Sequence, residues 1–271
     1  MQALFKTANI LGLLLVIIFF TGCTQQKNIL KQNEKSFLRN PVIAHRGAWK
    51  QTQVPQNSIA SLQAAIDLKC AGTEFDVHLT ADDVLVVNHD QAFYGLDIEK
   101  SSYKTLLNKK HPNGETIPTV ADYLKVGLKQ NHTKLIFELK VSEISKERTL
   151  KSAEIVAKMV KGLKKAHQIE FISFDYQALK KIKEIVPQAQ VAYLSGDIPP
   201  ATIKSDGLTG IDYSMGAYNK HKNWIAEAKE LGVSVNVWTV NEEEDMLYFL
   251  KQGVDYITTD NPALLFSVLR K

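Results

Sequence analysis

Residues 43–90 read IAHRGAWKQTQVPQNSIASLQAAIDLKCAGTEFDVHLTADDVLVVNHD, and polar residues in this stretch stand at the ends of strand-like apolar runs. His45 and Arg46 come directly after the first run, and Glu74 and Asp76 lie two positions apart in the next one. Side chains two positions apart lie on the same face of a strand. In α/β proteins the carboxyl ends of the strands border the ligand-binding mouth. We therefore expect these four side chains to converge on one pocket.

The segment LTADDV after the second run reads as a turn between two extended arms. If Thr80 pairs with Val84 across this turn, Asp76 falls opposite Asn88. The next residue, His89, then lies beside the carboxylates. The predicted pocket thus holds two carboxylates, two imidazoles and a guanidinium group.

The rest of the chain alternates strand-like runs with amphipathic helical patterns, which favours a parallel sheet, and eight such strands favour a closed (β/α)₈ TIM barrel. The strand-like runs are 42–44, 72–77, 135–139, 169–173, 190–193, 210–213, 234–238 and 256–259. The helical patterns include 58–68, 152–166, 176–186, 222–231 and 242–252. The run 84–88 has no helix before it, so we interpret it as the second arm of a hairpin. Whether this arm joins the barrel is left open.

The first 40 residues do not follow this alternation. Lys6 precedes an apolar run of eleven residues, 10–20, which is shorter than the ~18–20 residues that span a bilayer. The segment FTGC that follows resembles a bacterial lipobox, which implies cleavage before Cys23 and lipid attachment to its thiol. Residues 1–22 are thus predicted to be a lipoprotein signal peptide, and residues 23–40 a lipidated cysteine and a flexible polar tether. An ordinary signal peptide and a transmembrane anchor are the alternatives.

Cleavage would leave 271 minus 22 residues, or 249, which matches the ~250 residues typical of a single (β/α)₈ barrel, here 41–271. The lipid would anchor the exported protein in the bacterial cell envelope, on the periplasmic or outer-membrane side. The net charge of +4 falls to +3 without Lys6, which is too small to predict nucleic-acid binding. With Cys23 lipidated, Cys70 has no partner for an intramolecular disulfide, and we expect it to be a small buried apolar group.

Short motifs along the chain resemble those of the glycerophosphodiester phosphodiesterase family. They are HRG (45–47), PQNS (55–58), EFDVHLT (74–80), VVNHD (86–90), FELK (137–140), ISF (172–174), WTVN (238–241) and TDNP (259–262). The resemblance implies a TIM barrel of the phospholipase C-like phosphodiesterase type, with a cap inserted after the HD motif. The segment in that position, 91–117, has only 27 residues, which is shorter than expected of the family. The head group of the substrate is therefore left open.

Three carboxylates are predicted to bind a metal ion. Glu74, Asp76 and Glu138 stand at the mouth ends of two strands, and burying them together without a cation would be very costly. Hard divalent ions prefer oxygen ligands, so Mg²⁺ or Ca²⁺ fits better than zinc. Arg46 and Lys140 would hold other oxygens of a phosphate. Alternatively, these two cations form salt bridges with the same carboxylates.

His45 and His89 are predicted to supply the acid and the base, because imidazole titrates near neutral pH. In the resembled family, the pair is thought to act through the glycerol 2-hydroxyl, which gives a cyclic phosphate that water then opens. The sequence does not tell which histidine is the acid. His78 shares a face with Glu74 and is kept as a neighbour of the site. The other histidines, His111, His132, His167 and His221, lie in polar surroundings and are predicted to be on the surface.

Other residues have both a structural and a functional interpretation. Trp238 ends a strand at the predicted mouth, where it would either stack on the alcohol part of the substrate or belong to the barrel core. Asn57 or Ser58 is predicted to cap the helix that follows, and we assign the cap to Asn57. Gln56 stands where the family usually has Glu, so it offers hydrogen bonds but no charge, and we expect its role to be structural.

The leading hypothesis is a metal-dependent phosphodiesterase that releases glycerol 3-phosphate from a glycerophosphodiester. A second hypothesis is a phospholipase D-like or lyase activity on a lysophospholipid or sphingolipid, which would leave a cyclic phosphate. A third is a non-catalytic lipid-anchored binding protein. This sequence retains both histidines and all three carboxylates, and a binding role needs no paired acid and base, so the third hypothesis is the weakest. The oligomeric state is left open.

Overall fold

Eight parallel strands form a closed barrel in the computed structural model, which describes residues 40–271. The predicted signal peptide, Cys23 and nearly all of the predicted tether lie outside the described residues. The barrel strands are β1 (Val42–Ala44), β2 (Gly72–Leu79), β6 (Lys134–Leu139), β7 (Ile169–Ser173), β8 (Gln190–Tyr193), β9 (Gly210–Ser214), β10 (Ser234–Trp238) and β11 (Tyr256–Thr259). They are the eight predicted strands, so the TIM-barrel prediction is confirmed.

The barrel closes because β1 pairs in parallel with both β2 and β11. Ala44 lies opposite Thr73 on one side and opposite Thr259 on the other. Strands of a parallel barrel are covered on both faces, which explains why they read as nearly continuous apolar runs. Their buried side chains form the main hydrophobic core of the domain.

The ninth run forms β3 (Leu85–Val87), which pairs antiparallel with β2 and lies outside the closed barrel. The Thr80 N–H donates to the Val84 carbonyl at 3.0 Å, and the Asn88 N–H donates to the Asp76 carbonyl at 3.0 Å. The hairpin thus has the predicted register. The neighbours of β2 within the barrel are β1 and β6, so no position is left for β3 between parallel strands. It pairs instead with the end of β2 through the tight antiparallel turn.

Helices cover the outside of the barrel or follow its loops. They are α1 (Trp49–Thr52), α2 (Ile59–Asp67), α3 (Tyr103–Leu106), α4 (Val120–Gly127), α5 (Lys146–Lys161), α6 (Tyr176–Ile185), α7 (Pro200–Ser205), α8 (Met215–Lys220), α9 (Trp224–Glu230), α10 (Glu243–Gln252) and α11 (Pro262–Val268), with a 3₁₀ turn at Ala166–Gln168. The predicted bounds of one helix, 152–166, are wrong. Ser145 caps α5 by accepting from the Arg148 N–H, so the helix starts earlier, and it ends at Gly162.

The segment 91–117 forms a small cap with its own apolar cluster. The short strands β4 (Ala92–Phe93) and β5 (Leu96–Asp97) form a hairpin, and α3 follows. Phe93, Ile98 and Leu106 of the cap pack with Val86 of β3. The cap is therefore built on the outer hairpin arm.

Glu99 fastens the cap to the barrel. Its buried carboxylate accepts from the Ser142 hydroxyl at 2.6 Å and from Arg148 Nε at 3.2 Å. Arg148 also donates to the Leu79 and Thr80 carbonyls at the β2 turn. One buried ion pair thus joins the cap, the loop after β6 and the β2–β3 hairpin.

Two further expectations concern single side chains. Cys70 is a free, fully buried thiol, as expected. His111 is buried under the cap against Phe93, so its predicted surface position is wrong. The polar residues next to His111 in the sequence suggested an exposed position, but the hairpin of the cap folds over its imidazole ring. Within residues 40–271, no helix is both long enough and apolar enough to cross a membrane.

Candidate active site

The predicted site residues converge on one cavity of about 130 Å³ at the carboxyl ends of the barrel strands. Those that line it are His45, Arg46, Glu74, His89, Glu138, Lys140 and Trp238. Asp76 completes the group, since it lies beside Glu74 and Glu138. Residues up to 193 positions apart in the sequence, from 45 to 238, are thus brought together by the closure of the barrel.

Glu74, Asp76 and Glu138 offer carboxylate oxygens that all lie within 4.8 Å of one another. The pairing of β2 with β6 accounts for this, because it sets Asp76 opposite Glu138. One oxygen of Glu74, Oε1, is buried and has no hydrogen-bond partner. An orphaned carboxylate oxygen within a cluster of three buried acids suits a hard cation, so the residues present fit the predicted metal ion.

Burial and mutual repulsion act against a negative charge on the three acids, and the nearby cations oppose this to different extents. Burial, together with the charges of Asp76 and Glu138, raises the pKa of Glu74 well above its usual value. Burial and Asp76 raise the pKa of Glu138 to about 7. Burial also acts to raise the pKa of Asp76, but Lys140, His89 and Arg46 outweigh it and lower that pKa. Asp76 is thus the acid that stays ionised most readily.

Asn57 holds Asp76 in place and does not cap the helix. Its side-chain amide donates to Asp76 Oδ2 at 2.8 Å, and the Asp76 N–H donates to Asn57 Oδ1 at 3.1 Å. The cap of α2 is Ser58, whose hydroxyl accepts from the Ser61 N–H at 3.0 Å. Asn57 has φ 58°, a left-handed conformation that asparagine tolerates better than most residues. The predicted assignment of the cap to Asn57 is therefore wrong.

The two predicted phosphate-binding cations pair with the acids in this structure. Lys140 Nζ lies 2.8 Å from Glu138 Oε1 and 3.1 Å from Asp76 Oδ1. Arg46 Nε lies 3.6 Å from Asp76 Oδ2, is buried and makes no hydrogen bond. Gln56 accepts from Arg46 Nη1 at 2.9 Å. Gln56 thus orients the guanidinium group, which is a structural role of the kind expected for it.

His45 and His89 each use Nδ1 to contact an aspartate. His45 Nδ1 lies 2.7 Å from Asp260 Oδ1, and its Nε2 lies 3.9 Å from Glu74 Oε2. His89 Nδ1 lies 2.7 Å from Asp90 Oδ1. Burial lowers the pKa of His89. With Nδ1 engaged, Nε2 of each ring is the atom left for proton exchange with a bound molecule.

Asn241 supports the Asp260 carboxylate. Its side-chain amide donates to Asp260 Oδ2 at 2.9 Å, and the Asp260 N–H donates to Asn241 Oδ1 at 2.9 Å. Sequence reasoning named neither residue as part of the site. The only sign of them was that they lie in the quoted WTVN and TDNP segments.

His78 lies behind the site, where Nε2 is 3.1 Å from the His89 carbonyl. It therefore contacts the backbone of a predicted catalytic residue and does not line the cavity. Burial lowers its pKa, so the ring is favoured in its neutral form.

The far wall of the cavity is apolar. Trp238 and Phe174 meet edge to face with ring centroids 5.7 Å apart, and Ile172 and Leu194 complete the wall. Trp238 Nε1 donates to the Asp212 carbonyl at 2.8 Å. The indole is half-buried and borders the cavity, so Trp238 is part of the site wall. Asp212, which the sequence did not indicate, lies beneath it, and burial raises its pKa to about 8.

Comparison with known proteins agrees with this geometry. The sequence model of the glycerophosphoryl diester phosphodiesterase family matches residues 45–264. A glycerophosphodiester phosphodiesterase of Caldanaerobacter subterraneus subsp. tengcongensis is 30% identical over 260 residues, which cover 86% of this chain and 99% of that protein.

Solved structures show the same fold. The crystal structure of a glycerophosphodiester phosphodiesterase from Parabacteroides distasonis has a TM-score of 0.82 at 41% identity, over 85% of this chain and 96% of that one. An Oleispira antarctica phosphodiesterase in complex with its product sn-glycerol-3-phosphate has a TM-score of 0.72 at 26% identity, over 86% of this chain and 97% of that one.

Proposed function

Because the chain belongs to the glycerophosphoryl diester phosphodiesterase family and is an enzyme of that class, we propose that it hydrolyses glycerophosphodiesters to glycerol 3-phosphate and an alcohol. We further propose that the reaction depends on a divalent cation, Mg²⁺ or Ca²⁺. The Oleispira relative, solved with sn-glycerol-3-phosphate as its product, supports this choice of product.

The observation that carries the proposal is the buried acid cluster of Glu74, Asp76 and Glu138 beside two histidines whose Nδ1 atoms are already engaged. These three residues would hold the cation. When bound, it neutralises charge on a phosphate oxygen and so stabilises the transition state. The orphaned Glu74 Oε1 is the clearest support for a ligand in this position.

The remaining residues bind the phosphate and move protons. Arg46 and Lys140, which here pair with Asp76 and Glu138, would hold phosphate oxygens by their positive charges. One of His45 and His89 would take, through Nε2, the proton of the glycerol 2-hydroxyl as its oxygen attacks phosphorus, and the other would donate a proton to the departing alcohol oxygen, which leaves a cyclic phosphate. The two roles would then be exchanged: the second histidine would take a proton from water as the water attacks phosphorus, and the first would protonate the glycerol 2-oxygen, which gives glycerol 3-phosphate. Trp238 would contact the alcohol or glycerol carbons from the apolar wall.

Glycerophosphocholine and glycerophosphoethanolamine test this proposal directly. The 24–271 fragment should release glycerol 3-phosphate from them with Mg²⁺ or Ca²⁺ and lose this activity with a chelator. A Glu74→Gln protein is the control for contaminating enzymes and should be at least ~100-fold slower. Release that survives the chelator would contradict the metal dependence. No release from either compound with any metal would contradict the reaction itself.

A second candidate function is supported by apolar side chains around the mouth. Val141, Ile144 and Phe174 are exposed in the loops that follow β6 and β7. Such side chains would suit the acyl chain of a lysophospholipid or sphingolipid, which the enzyme would cleave in a phospholipase D-like or lyase reaction. Lysophosphatidylcholine as substrate, with analysis for a cyclic phosphate product, distinguishes the two candidates.

We also propose that the chain is exported and anchored to the cell envelope through Cys23, with 1–22 as the signal peptide and 23–40 as the lipidated tether before the 41–271 domain. The FTGC segment supports this. Growth with an alkyne fatty acid should label the wild-type protein and leave a Cys23→Ser protein unlabelled. Equal labelling of the two would contradict the anchor.

A further inference from the structure

A second cavity of about 850 Å³ lies beside the catalytic cavity, between α1 with the loop after it and the cap. We call it the side groove. Its walls are formed by Trp49, residues 53–56, Asn88, Asp90, residues 92–95 and residues 111–113. None of the residues proposed for catalysis or metal binding lines it.

The side groove begins where the catalytic cavity ends. Gln56 lines the groove and binds Arg46 of the catalytic cavity. Asn88 and Asp90 line the groove on either side of His89, which faces the catalytic cavity. The catalytic cavity, at about 130 Å³, is smaller than the ~300–1,000 Å³ of pockets that enclose whole ligands. A glycerophosphodiester bound there must therefore extend beyond it.

Aromatic rings form much of the groove wall. Trp49, Phe93, Tyr94 and His111 all border it. Phe93 and Tyr94 meet edge to face with centroids 4.7 Å apart, and Tyr94 meets His111 at 5.7 Å. The Tyr94 hydroxyl lies 3.2 Å from His111 Nδ1, which fixes the two rings relative to each other.

The lining of the side groove carries negative but no positive side-chain charge. Asp90 is the only Asp, Glu, Lys or Arg residue among those lining the groove, and its side chain is 73% exposed. Burial lowers the pKa of His111, which favours the neutral imidazole. Arginine and lysine are absent from the lining, although the chain as a whole is positively charged. Ring faces and a carboxylate attract a cation, whereas the hydrogen-bond donors of the lining, such as the side chains of Trp49 and Gln53, are neutral and add no positive charge for an anion.

We propose that the side groove binds a cationic alcohol head group of the substrate, with the quaternary ammonium of choline as the best match. This inference rests on the proposed function and narrows its substrate class. Quaternary ammonium ions bind to aromatic faces because they cannot donate hydrogen bonds and lose little solvation there. The carboxylate of Asp90 adds long-range attraction, while one of its oxygens remains bonded to His89.

The first test compares two substrates that differ in head-group charge. The purified full chain should have a higher kcat/KM for glycerophosphocholine than for glycerophosphoglycerol, whose head group is neutral. Tyr94→Leu should lower this preference by about 2- to 30-fold, the range expected for one cation–π contact. Tyr94→Phe keeps the ring face and should keep the preference. Tyr248→Leu, which removes an exposed ring from α10, is the control and should not change it.

The second test does not need activity. Choline chloride titrated into the wild-type protein should show binding by NMR saturation transfer, and Tyr94→Leu should weaken it. This binding, seen without cleavage of either diester, would support the groove while refuting the proposed reaction. Absence of choline binding, a wild-type preference for the neutral head group, or equal behaviour of Tyr94→Leu and Tyr94→Phe would each overturn the inference.

Discussion

His45 and His89 contact aspartates at the same distance, 2.7 Å, but the two aspartates are held in different ways. Asp260 comes from the opposite end of the chain, 215 residues from His45, and its side chain is 21% exposed. Asp90 is the residue next to His89, and its side chain is 73% exposed. The first pair is fastened by barrel closure, and the second lies at the rim below the cap.

This difference in exposure indicates which of the two imidazole rings depends on its aspartate for its orientation. The Asp260 carboxylate is bonded by Asn241, so the ring of His45 has one preferred position and tautomer. Water can replace an exposed carboxylate such as Asp90, so His89 relies more on its own burial and on His78 behind it. We therefore expect His45 to be more sensitive to the loss of Asp260 than His89 is to the loss of Asp90.

Removal of either imidazole should have the largest effect. We expect His45→Asn and His89→Asn each to lower kcat by about 10²–10⁴-fold, as is usual for a lost general acid or base. The double variant should be little slower than the worse single variant, because the two groups act in one reaction. Steady-state kinetics with glycerophosphocholine measures this. A single variant that kept a tenth of the activity would remove that histidine from the mechanism.

Substitution of the aspartates should separate the two pairs. Asp260→Asn is expected to lower kcat by about 10–100-fold, because an amide no longer enforces the tautomer and orientation of the ring. Asp90→Asn is expected to cost less than about 5-fold, because its exposed carboxylate is easily replaced by water. Equal losses in the two variants would show that exposure of the partner does not matter.

Asn241→Ala removes the residue that supports Asp260, the partner of His45. We expect it to lower kcat by about 3–10-fold, which is less than Asp260→Asn. Asp260 keeps its bond to the ring but loses the support of Asn241, and the loss of these half-buried hydrogen bonds should lower the free energy of unfolding by about 1 kcal/mol. Asn88→Ala is the matched control on the His89 side, because its amide donates to the Asp90 carbonyl and not to the carboxylate. Kinetics and thermal unfolding of both variants check this. A larger loss from Asn88→Ala would reverse the comparison.

The pH dependence should change least. Burial lowers the pKa of His89, whereas the hydrogen bond that its ring donates to Asp90 raises it. Asp90→Asn removes the raising contribution, so the ring loses its proton at lower pH than in the wild type. The limb of the kcat/KM profile that belongs to His89 should therefore move to lower pH, by less than about one unit. A shift to higher pH would contradict the assigned cause.

The strands were predictable because of how parallel strands are buried. Each is covered on both faces, so a run such as 42–44 is apolar throughout, and the polar residue His45 directly after it marks its end. Helix α5 was placed six residues late because its first turn, KERT, is polar and shows no apolar periodicity. Its start depends on the Ser145 cap, and a single serine in a polar stretch is a weak signal.

The acids and histidines of the site were predictable for the same reason, since they stand at strand ends. Asn57 was misassigned because asparagine before a helix usually caps it. In the fold it instead bonds Asp76 on a different strand, and the neighbouring Ser58 supplies the cap. A local rule cannot distinguish these two outcomes when both candidate residues are adjacent.

Taken alone, the sequence determined the barrel, its strand order and the set of polar residues at its mouth, because periodicity and burial are properties of neighbouring residues. Tertiary structure alone decided that Asp260 reaches His45, that Asn57 holds Asp76 and that the cap leaves a groove beside the site. The first of these contacts arises when the last strand pairs with the first, Ala44 beside Thr259, across most of the chain. No local pattern identifies which of many aspartates closure will bring to one histidine.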